Sequence, residues 1–121
     1  METGKMYKVE IITRPEKFND LKDALNEIGV SGLTVCNVEG YGIEKGAVGY
    51  YRGVPCEVKL NKKIKVDIVI STTPLEQVLE TAEQVLKTGR IGDGKIFVSE
   101  ICEVVRVRTG ERGYAALTNE N

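Results

Sequence analysis

Apolar side chains recur at every second position in several short segments of the chain, which is typical of β-strands with one buried face. The alternation predicts a first strand over Met6 to Thr13 and a second over Leu33 to Tyr41. A stricter alternation runs from Lys63 to Ile70, where isoleucine or valine occupies four positions: Ile64, Val66, Ile68 and Ile70. The last apolar segment, from Ile96 to Val107, predicts one long strand.

The first and third of these strands are each followed by apolar residues at spacings of three and four, the pattern of an amphipathic helix. In the first helix this stripe consists of Phe18, Leu21, Leu25 and Ile28. In the second it consists of Leu75, Val78, Leu79, Ala82, Val85 and Leu86. Pro15 is expected near the start of the first helix, and Thr73 is expected to cap the second, with Pro74 at its first position. Gly29 and Gly89 are expected to end the two helices.

The order strand-helix-strand, repeated once, predicts a single α+β domain over residues 1–121. Two such units in tandem form a ferredoxin-like βαββαβ sandwich, with an antiparallel four-stranded sheet and both helices on one face. The other face would remain apolar and uncovered in a monomer, which predicts an oligomer. Two segments lie outside this minimal fold: a long loop over residues 42–60 and a glycine-rich turn over residues 88–95.

The composition excludes several classes of function. Lysine and arginine number 17 against 18 acidic residues, so we expect no nucleic-acid partner, because phosphate binding needs a basic surplus. The absence of histidine excludes Ser-His-Asp and Cys-His catalysis and most zinc sites. No apolar run approaches the ~20 residues of a membrane span. We expect a cytoplasmic protein in which Met6 is an older start and residues 1–5 are an extension.

Two short runs carry candidate chemistry for binding an anion. Residues 92–95 are Gly-Asp-Gly-Lys, and glycines let backbone N–H groups approach an anion closely beside the lysine charge. Arg106 and Arg108 would lie on one face of a strand, where their guanidinium groups would bind a polyphosphate. The plainer interpretation of the glycine run is a tight connection between helix and strand, and that of the two arginines is a pair of solvated side chains. Lys95 and the arginines lie at opposite ends of one predicted strand, so they would share a ligand only across a subunit boundary.

The run T-G-R-I-G-D-G-K-I-F-V from Thr88 to Val98 and the run V-R-V-R-T-G-E-R from Val105 to Arg112 resemble the two signatures of the PII signal-transduction family. A looser match covers three parts of the long loop: Gly40-Tyr41-Gly42, Lys45-Gly46 and Tyr51-Arg52-Gly53. The resemblance extends without a gap from Met6 to Leu117. It implies a non-enzymatic homotrimer with ATP or ADP in the clefts between subunits and with Mg²⁺ as a further candidate ligand.

The resemblance also implies residues for the nucleotide site and a role for the loop. The expected nucleotide-binding residues are Ile12, Thr34, Gly42, Ile43, Glu44, Lys63, Asp67, Val69, Gly92, Asp93, Gly94, Lys95, Arg106, Val107 and Arg108. Thr34 would contact the adenine, and Arg106 and Arg108 would reach in from the neighbouring subunit. The loop would dock on a regulated transporter, enzyme or transcription factor. The protein would therefore associate with a membrane only through a transporter partner. The expected target-binding residues are Tyr50, Tyr51 and Arg52.

The chain departs from the family pattern where members that sense 2-oxoglutarate carry arginine and glutamine, because it has Ile43 and Glu44 there. We therefore expect 2-oxoglutarate to bind weakly or not at all, with Lys63 as the attractive group that remains. The alternatives are a typical PII regulator of nitrogen metabolism that binds 2-oxoglutarate with Mg-ATP, and a slow ATPase. An RNA-binding module is disfavoured, because two phenylalanines and no tryptophan leave few aromatic rings to stack bases.

Overall fold

The computed structural model describes residues 5–41, 60–71 and 73–117, together with the backbone of residues 50–51 and 54–55. Within these residues the elements are β1 (Met6–Thr13), α1 (Phe18–Glu27), β2 (Thr34–Gly40), β3 (Tyr50–Tyr51), β4 (Val54–Pro55), β5 (Asn61–Ile70), α2 (Leu75–Leu86), β6 (Lys95–Ile101) and α3 (Tyr114–Leu117). Four strands form one sheet in the order β2-β5-β1-β6, in which every neighbouring pair is antiparallel. This order confirms the predicted ferredoxin-like fold. None of the described helices is long and apolar enough to cross a membrane.

The hydrophobic core lies between one face of this sheet and the two long helices. Its buried apolar residues are Val9, Ile11, Leu21, Leu25, Val30, Ile64, Val66, Ile68, Ile70, Val78, Ala82 and Leu86. The predicted stripe of each helix and the alternating positions of β1 and β5 therefore form the buried faces. Because both helices contribute to one core, both lie on the same side of the sheet, as the fold class requires.

The first helix ends at a glycine, as the sequence predicts. Gly29 has a φ of 98°, which glycine adopts at little cost. Its N–H donates to the carbonyl of Asn26 at 3.1 Å, and the N–H of Val30 donates to the carbonyl of Leu25 at 2.9 Å. These two bonds form the Schellman motif that closes a helix C-terminus.

Both predicted ends of the second helix are wrong. Thr73 is not the N-cap, because Pro74 is extended, with a ψ of 134°, and directly precedes Leu75, the first helical residue. At the other end the chain leaves the helix at Lys87, whose ψ is 124°. Gly89 has a φ of 83°, but it comes two residues after that position. It therefore belongs to the turn that follows rather than to the end of the helix.

The long strand predicted from Ile96 to Val107 is wrong in its second half. β6 ends at Ile101, and the chain then folds into a hairpin in which Val105 pairs with Arg112. Two backbone hydrogen bonds, of 2.8 and 2.7 Å, close this hairpin. The two arginines expected on the strand therefore lie on the hairpin, and their side chains do not share a strand face.

The face of the sheet opposite the helices is not the apolar surface that the sequence predicts. Its central strands carry five half-buried charged residues: Lys8, Glu10, Lys63, Lys65 and Asp67. Glu10 and Asp67 are direct partners across β1 and β5, an arrangement that is unfavourable for like charges. Lys65 lies beside them, with its Nζ 3.9 Å from Asp67 Oδ2. Apolar groups such as Phe97, which is 49% exposed, complete an amphipathic face.

Candidate functional site

The glycine-rich turn between α2 and β6 is organised by the carboxylate of Asp93. Its Oδ2 accepts the backbone N–H groups of Thr88 at 2.7 Å and of Gly89 at 2.9 Å. Its Oδ1 accepts the hydroxyl of Thr88 and Nη1 of Arg14, each at 2.5 Å. These donors, the Thr88 hydroxyl foremost, hold the pKa of Asp93 well below its usual range. The Asp93 carboxylate is therefore occupied in shaping the turn, and the groups that remain for a ligand are those of the turn's backbone.

Three side chains from the sheet side hold the carbonyl groups of the same turn. The carbonyl oxygens of residues 91, 92 and 93 accept hydrogen bonds from Arg14 at 3.0 Å, Lys63 at 2.8 Å and the buried hydroxyl of Thr13 at 3.0 Å. In a trans peptide the N–H of the next residue points away from the carbonyl. The N–H groups of residues 92–94 are thus directed away from these three side chains. Such an array favours an anion on the outer side of the turn.

The turn passes close to β1, so that a side chain at Gly94 would overlap the backbone and one at Gly92 would displace the end of an arginine side chain. A Cβ at Gly94 would lie 1.8 Å from the carbonyl oxygen of Ile12, and a Cβ at Gly92 would lie 2.9 Å from Nη2 of Arg14. Both glycines have positive φ, 103° and 106°. Beside the turn is a cavity of about 480 Å³, which we call the turn cavity. The expected site residues that line it are Ile12, Lys63, Gly92, Gly94 and Lys95.

Four other expected residues meet at a second cavity of about 580 Å³, which we call the β2–β5 cavity: Thr34, Asp67, Val69 and Arg106. Thr34 and Asp67 are direct partners across β2 and β5, and so the sheet register brings them together. Asp67 Oδ1 is buried and has no hydrogen-bond partner in the part of the chain that the structure describes. A buried oxygen without a donor is unfavourable. The cavity therefore favours a ligand that carries an N–H or O–H group.

The two arginines of the hairpin have different surroundings. The side chain of Arg106 is 18% exposed, and its Nη1 lies 2.5 Å from Oε1 of Glu111. Arg108 is exposed, and Val107 beside it is 95% exposed. Of Arg106, Val107 and Arg108, only Arg106 lines the β2–β5 cavity.

Among the described residues, none lines both cavities. One protomer therefore presents the expected site as two separate groups. Asp93 lies in the turn itself, with its side chain facing inward. The residues Gly42, Ile43, Glu44 and Arg52 lie outside the described residues, and of Tyr50 and Tyr51 the structure describes only the backbone. Among the described side chains no cluster of three or more acidic or cysteine groups is arranged to hold a metal ion.

Sequence reasoning missed four residues that build these surroundings: Thr13, Arg14, Thr88 and Glu111. Thr88 lies within the recognised glycine-rich run, but its bonds to Asp93 depend on the fold of the turn. Arg14 meets Asp93 from a position distant in the sequence, and no local pattern announces such a pair. Thr13 continues the alternation of β1, which predicts a buried position. A buried polar group needs a hydrogen-bond partner, and this was the signal that could have identified Thr13.

Comparison with known proteins agrees with this architecture. The family model for nitrogen regulatory protein P-II matches residues 6–111. A nitrogen regulatory PII-like protein of Bacillus subtilis is 51% identical over 115 residues, which cover 95% of this chain and 99% of that protein. The structure of a B. subtilis GlnK-ATP complex has a TM-score of 0.81 and 46% identity, covering 97% of this chain and 100% of that one. The crystal structure of Arabidopsis thaliana PII bound to citrate has a TM-score of 0.75 and 41% identity, covering 93% of this chain and 92% of that one.

We expect the substitution Asp93→Asn to lower the melting temperature. The folded-state pKa of Asp93 lies below the unfolded value of about 3.9. Its stabilising contribution is therefore fully present above that value and is lost as the pH falls through the folded pKa. The loss in the variant should be equal at about pH 5.5 and about pH 8 and should shrink only in strong acid. Asp23→Asn removes an exposed carboxylate of α1 and is the control; equal melting temperatures for wild type and Asp93→Asn would contradict the analysis.

We expect Gly94→Ala to cost more stability than Gly89→Ala. Both glycines have positive φ, which costs an alanine about 1 kcal/mol or somewhat more. Of the two, only Gly94 would place the new Cβ against a backbone atom, because no atom of the described residues lies within 4 Å of a Cβ at Gly89. Urea unfolding should give a loss of about 1 kcal/mol for Gly89→Ala and about 3 kcal/mol for Gly94→Ala. Equal losses would show that the close approach to β1 is unimportant.

Proposed function

Because the chain belongs to the P-II family of nitrogen regulatory proteins, we propose that it is a homotrimeric signalling protein that senses ATP and ADP. One observation carries this proposal. The residues expected at the nucleotide site form two groups on separate cavities of one protomer. A second copy of the chain that brings its β2–β5 cavity to the turn cavity of the first would let one ligand contact both groups. The ATP complex of the B. subtilis relative supports the choice of ligand.

Each group suits a different part of an adenine nucleotide. The N–H groups of residues 92–94, together with Lys95, suit the phosphates, because backbone donors and an ammonium bind an anion jointly. In the β2–β5 cavity Val69 offers apolar contact to a base, and the unpaired oxygen of Asp67 would accept its amino group. Arg106 on the same wall would reach the phosphates of a nucleotide held by the neighbouring copy.

The site chemistry favours a switch over a slow ATPase. A catalytic base works best when its pKa lies near the operating pH. The pKa of Asp93 is lowered, and its carboxylate is occupied by four donors, so it is a poor base for activating water. The nucleotide would instead bias the conformation of the loop over residues 42–60, which would then bind a regulated transporter, enzyme or transcription factor.

We further propose that 2-oxoglutarate binds this protein weakly or not at all. Glu44 adds a negative charge where the family pattern has a neutral glutamine, and Ile43 removes a positive one. The repulsion of two unit charges at ~5 Å in an effective dielectric of ~20 is roughly 3 kcal/mol, or about a hundredfold in affinity. Lys63, the remaining attractive group, already donates to the carbonyl of Gly92 at 2.8 Å.

Mixed trimers test whether the nucleotide site is shared between subunits. Lys95→Ala removes a charge from the turn cavity and Arg106→Ala removes one from the β2–β5 cavity, so each variant alone should bind ATP about tenfold more weakly. A trimer that contains both variants has one interface at which both halves are intact. Calorimetry should therefore recover one ATP site of wild-type affinity in each mixed trimer.

The half-exposed Lys22 of α1 provides the control, because Lys22→Ala should leave ATP binding unchanged. Refolded mixtures of each single variant with itself control for the mixing procedure. A mixed trimer without any site of wild-type affinity, or a chain that remains monomeric at micromolar concentration, would contradict the shared site.

Removal of the Glu44 charge tests the expected insensitivity to 2-oxoglutarate. With Mg-ATP present, calorimetry of the wild type should show no micromolar binding of 2-oxoglutarate. Glu44→Gln should bind it about a hundredfold more tightly than the wild type, because the repulsion is removed. Glu39→Gln, which neutralises an exposed residue of β2, is the matched control. Micromolar, ATP-dependent binding by the wild type would refute this part of the proposal.

A further inference from the structure

The hairpin that carries Arg106 also carries the carboxylate of Glu111, to which no function has been assigned so far. Glu111 Oε1 accepts a hydrogen bond from Arg106 Nη1 at 2.5 Å and from the hydroxyl of Thr109 at 2.9 Å. That hydroxyl in turn accepts the N–H of Glu111 at 3.2 Å. The backbone adds a further bond, from the N–H of Arg106 to the carbonyl of Glu111 at 2.8 Å. Glu111 therefore holds Arg106 through both its side chain and its backbone.

This contact differs from an ordinary surface ion pair. Arg106 is 18% exposed and Glu111 is 45% exposed, so solvent and salt screen the pair less than a fully exposed one. The pair also has an orientation: Thr109 fixes the carboxylate on one side, and Arg106, which the carboxylate holds, lines the β2–β5 cavity. An arginine whose rotamer is fixed in advance loses less conformational freedom when it binds a ligand.

A nearby carboxylate on the same segment provides a contrast. Glu103 accepts the N–H of Val104 at 3.0 Å, and its Oε2 lies 3.8 Å from Nη1 of Arg112. Both partners of this second ion pair are more than half exposed. Neither residue lines the β2–β5 cavity. The two carboxylates are alike in charge, but only Glu111 is connected to the cavity.

We propose that Glu111 is a positioning residue of the nucleotide site. It holds the Arg106 guanidinium at the β2–β5 cavity, in the orientation from which that group binds the phosphates of a nucleotide shared with the neighbouring subunit. This inference rests on the proposed function. Glu111 acts through Arg106 and contacts no ligand itself, so its effect on binding should disappear when Arg106 is absent.

The test is a double-mutant cycle on ATP affinity, measured by calorimetry on trimers of confirmed melting temperature. Glu111→Ala should weaken ATP binding roughly tenfold, the effect of losing one charge-assisted contact. Glu111→Gln keeps an oxygen acceptor for the guanidinium and should restore affinity to within about threefold of the wild type. In the Arg106→Ala background, Glu111→Ala should cause no further loss. Glu103→Ala is the matched control and should bind ATP as the wild type does.

The outcomes separate this proposal from the one beneath it. A wild-type trimer that does not bind ATP would refute the proposed function, and the positioning role with it. If the wild type binds ATP, then unchanged or tighter binding by Glu111→Ala would refute the positioning role alone. An equal loss in the wild-type and Arg106→Ala backgrounds would do the same, because Glu111 would then act on the fold and not through Arg106. If Glu111→Ala fails to fold, Glu111→Asp replaces it in the test. The shorter side chain should weaken ATP binding, and ATP binding with wild-type affinity would refute the positioning role.

Discussion

The negative charge of Asp93 is the element on which the turn before β6 depends. A segment of residues 88–95 with three glycines loses much conformational entropy when it is ordered, and apolar burial contributes little there, because Ile91 is 62% exposed. Charge-assisted hydrogen bonds to one carboxylate replace the missing core. Since Arg14 lies just beyond the end of β1, the same carboxylate also attaches the turn to the sheet. An array of N–H groups is thereby fixed before any ligand arrives.

The sequence predicts those parts of the fold that depend on burial. The limits of β1 agree with the prediction, and β5 and both long helices form at the predicted places, because alternation and the helical stripe directly reflect which side chains leave water. The prediction fails where side chains distant in sequence decide. Valines continue the alternation past Ile101, yet the chain turns there and forms the hairpin that Arg106 and Glu111 hold together. Gly89 has the conformation expected of a helix end, but its N–H is bound by Asp93.

In the candidate site too, the sequence predicts which residues take part but not the contacts between residues distant in the sequence. Composition and spacing identify the glycine run and the arginine pair, because those residue types are needed for an anion in any fold. Their grouping could not be predicted, since it depends on sheet register and on the hairpin. Arg106 belongs with Thr34 and Asp67 on one cavity, and Arg108 is exposed on the hairpin turn. Asp93 is one of the residues expected at the phosphates, and its carboxylate is bound by Thr88, Gly89 and Arg14. On the proposed function it would therefore contribute its backbone N–H and not its side chain.

The position of the turn cavity gives a physical route from ligand to loop. β2 ends at Gly40 and β5 begins at Asn61, and these two residues are direct partners in the sheet, so the long loop leaves and returns at one place. Gly40, Tyr41 and Asn61 also line the turn cavity. On the proposed function, a nucleotide with its phosphates there would touch both ends of the loop. It would shift the loop only as far as two loop conformations bind it with different affinity. ATP and ADP differ by a single phosphate, so the γ-phosphate must carry that difference, and its contact with the loop has to be strong in one conformation and weak in the other.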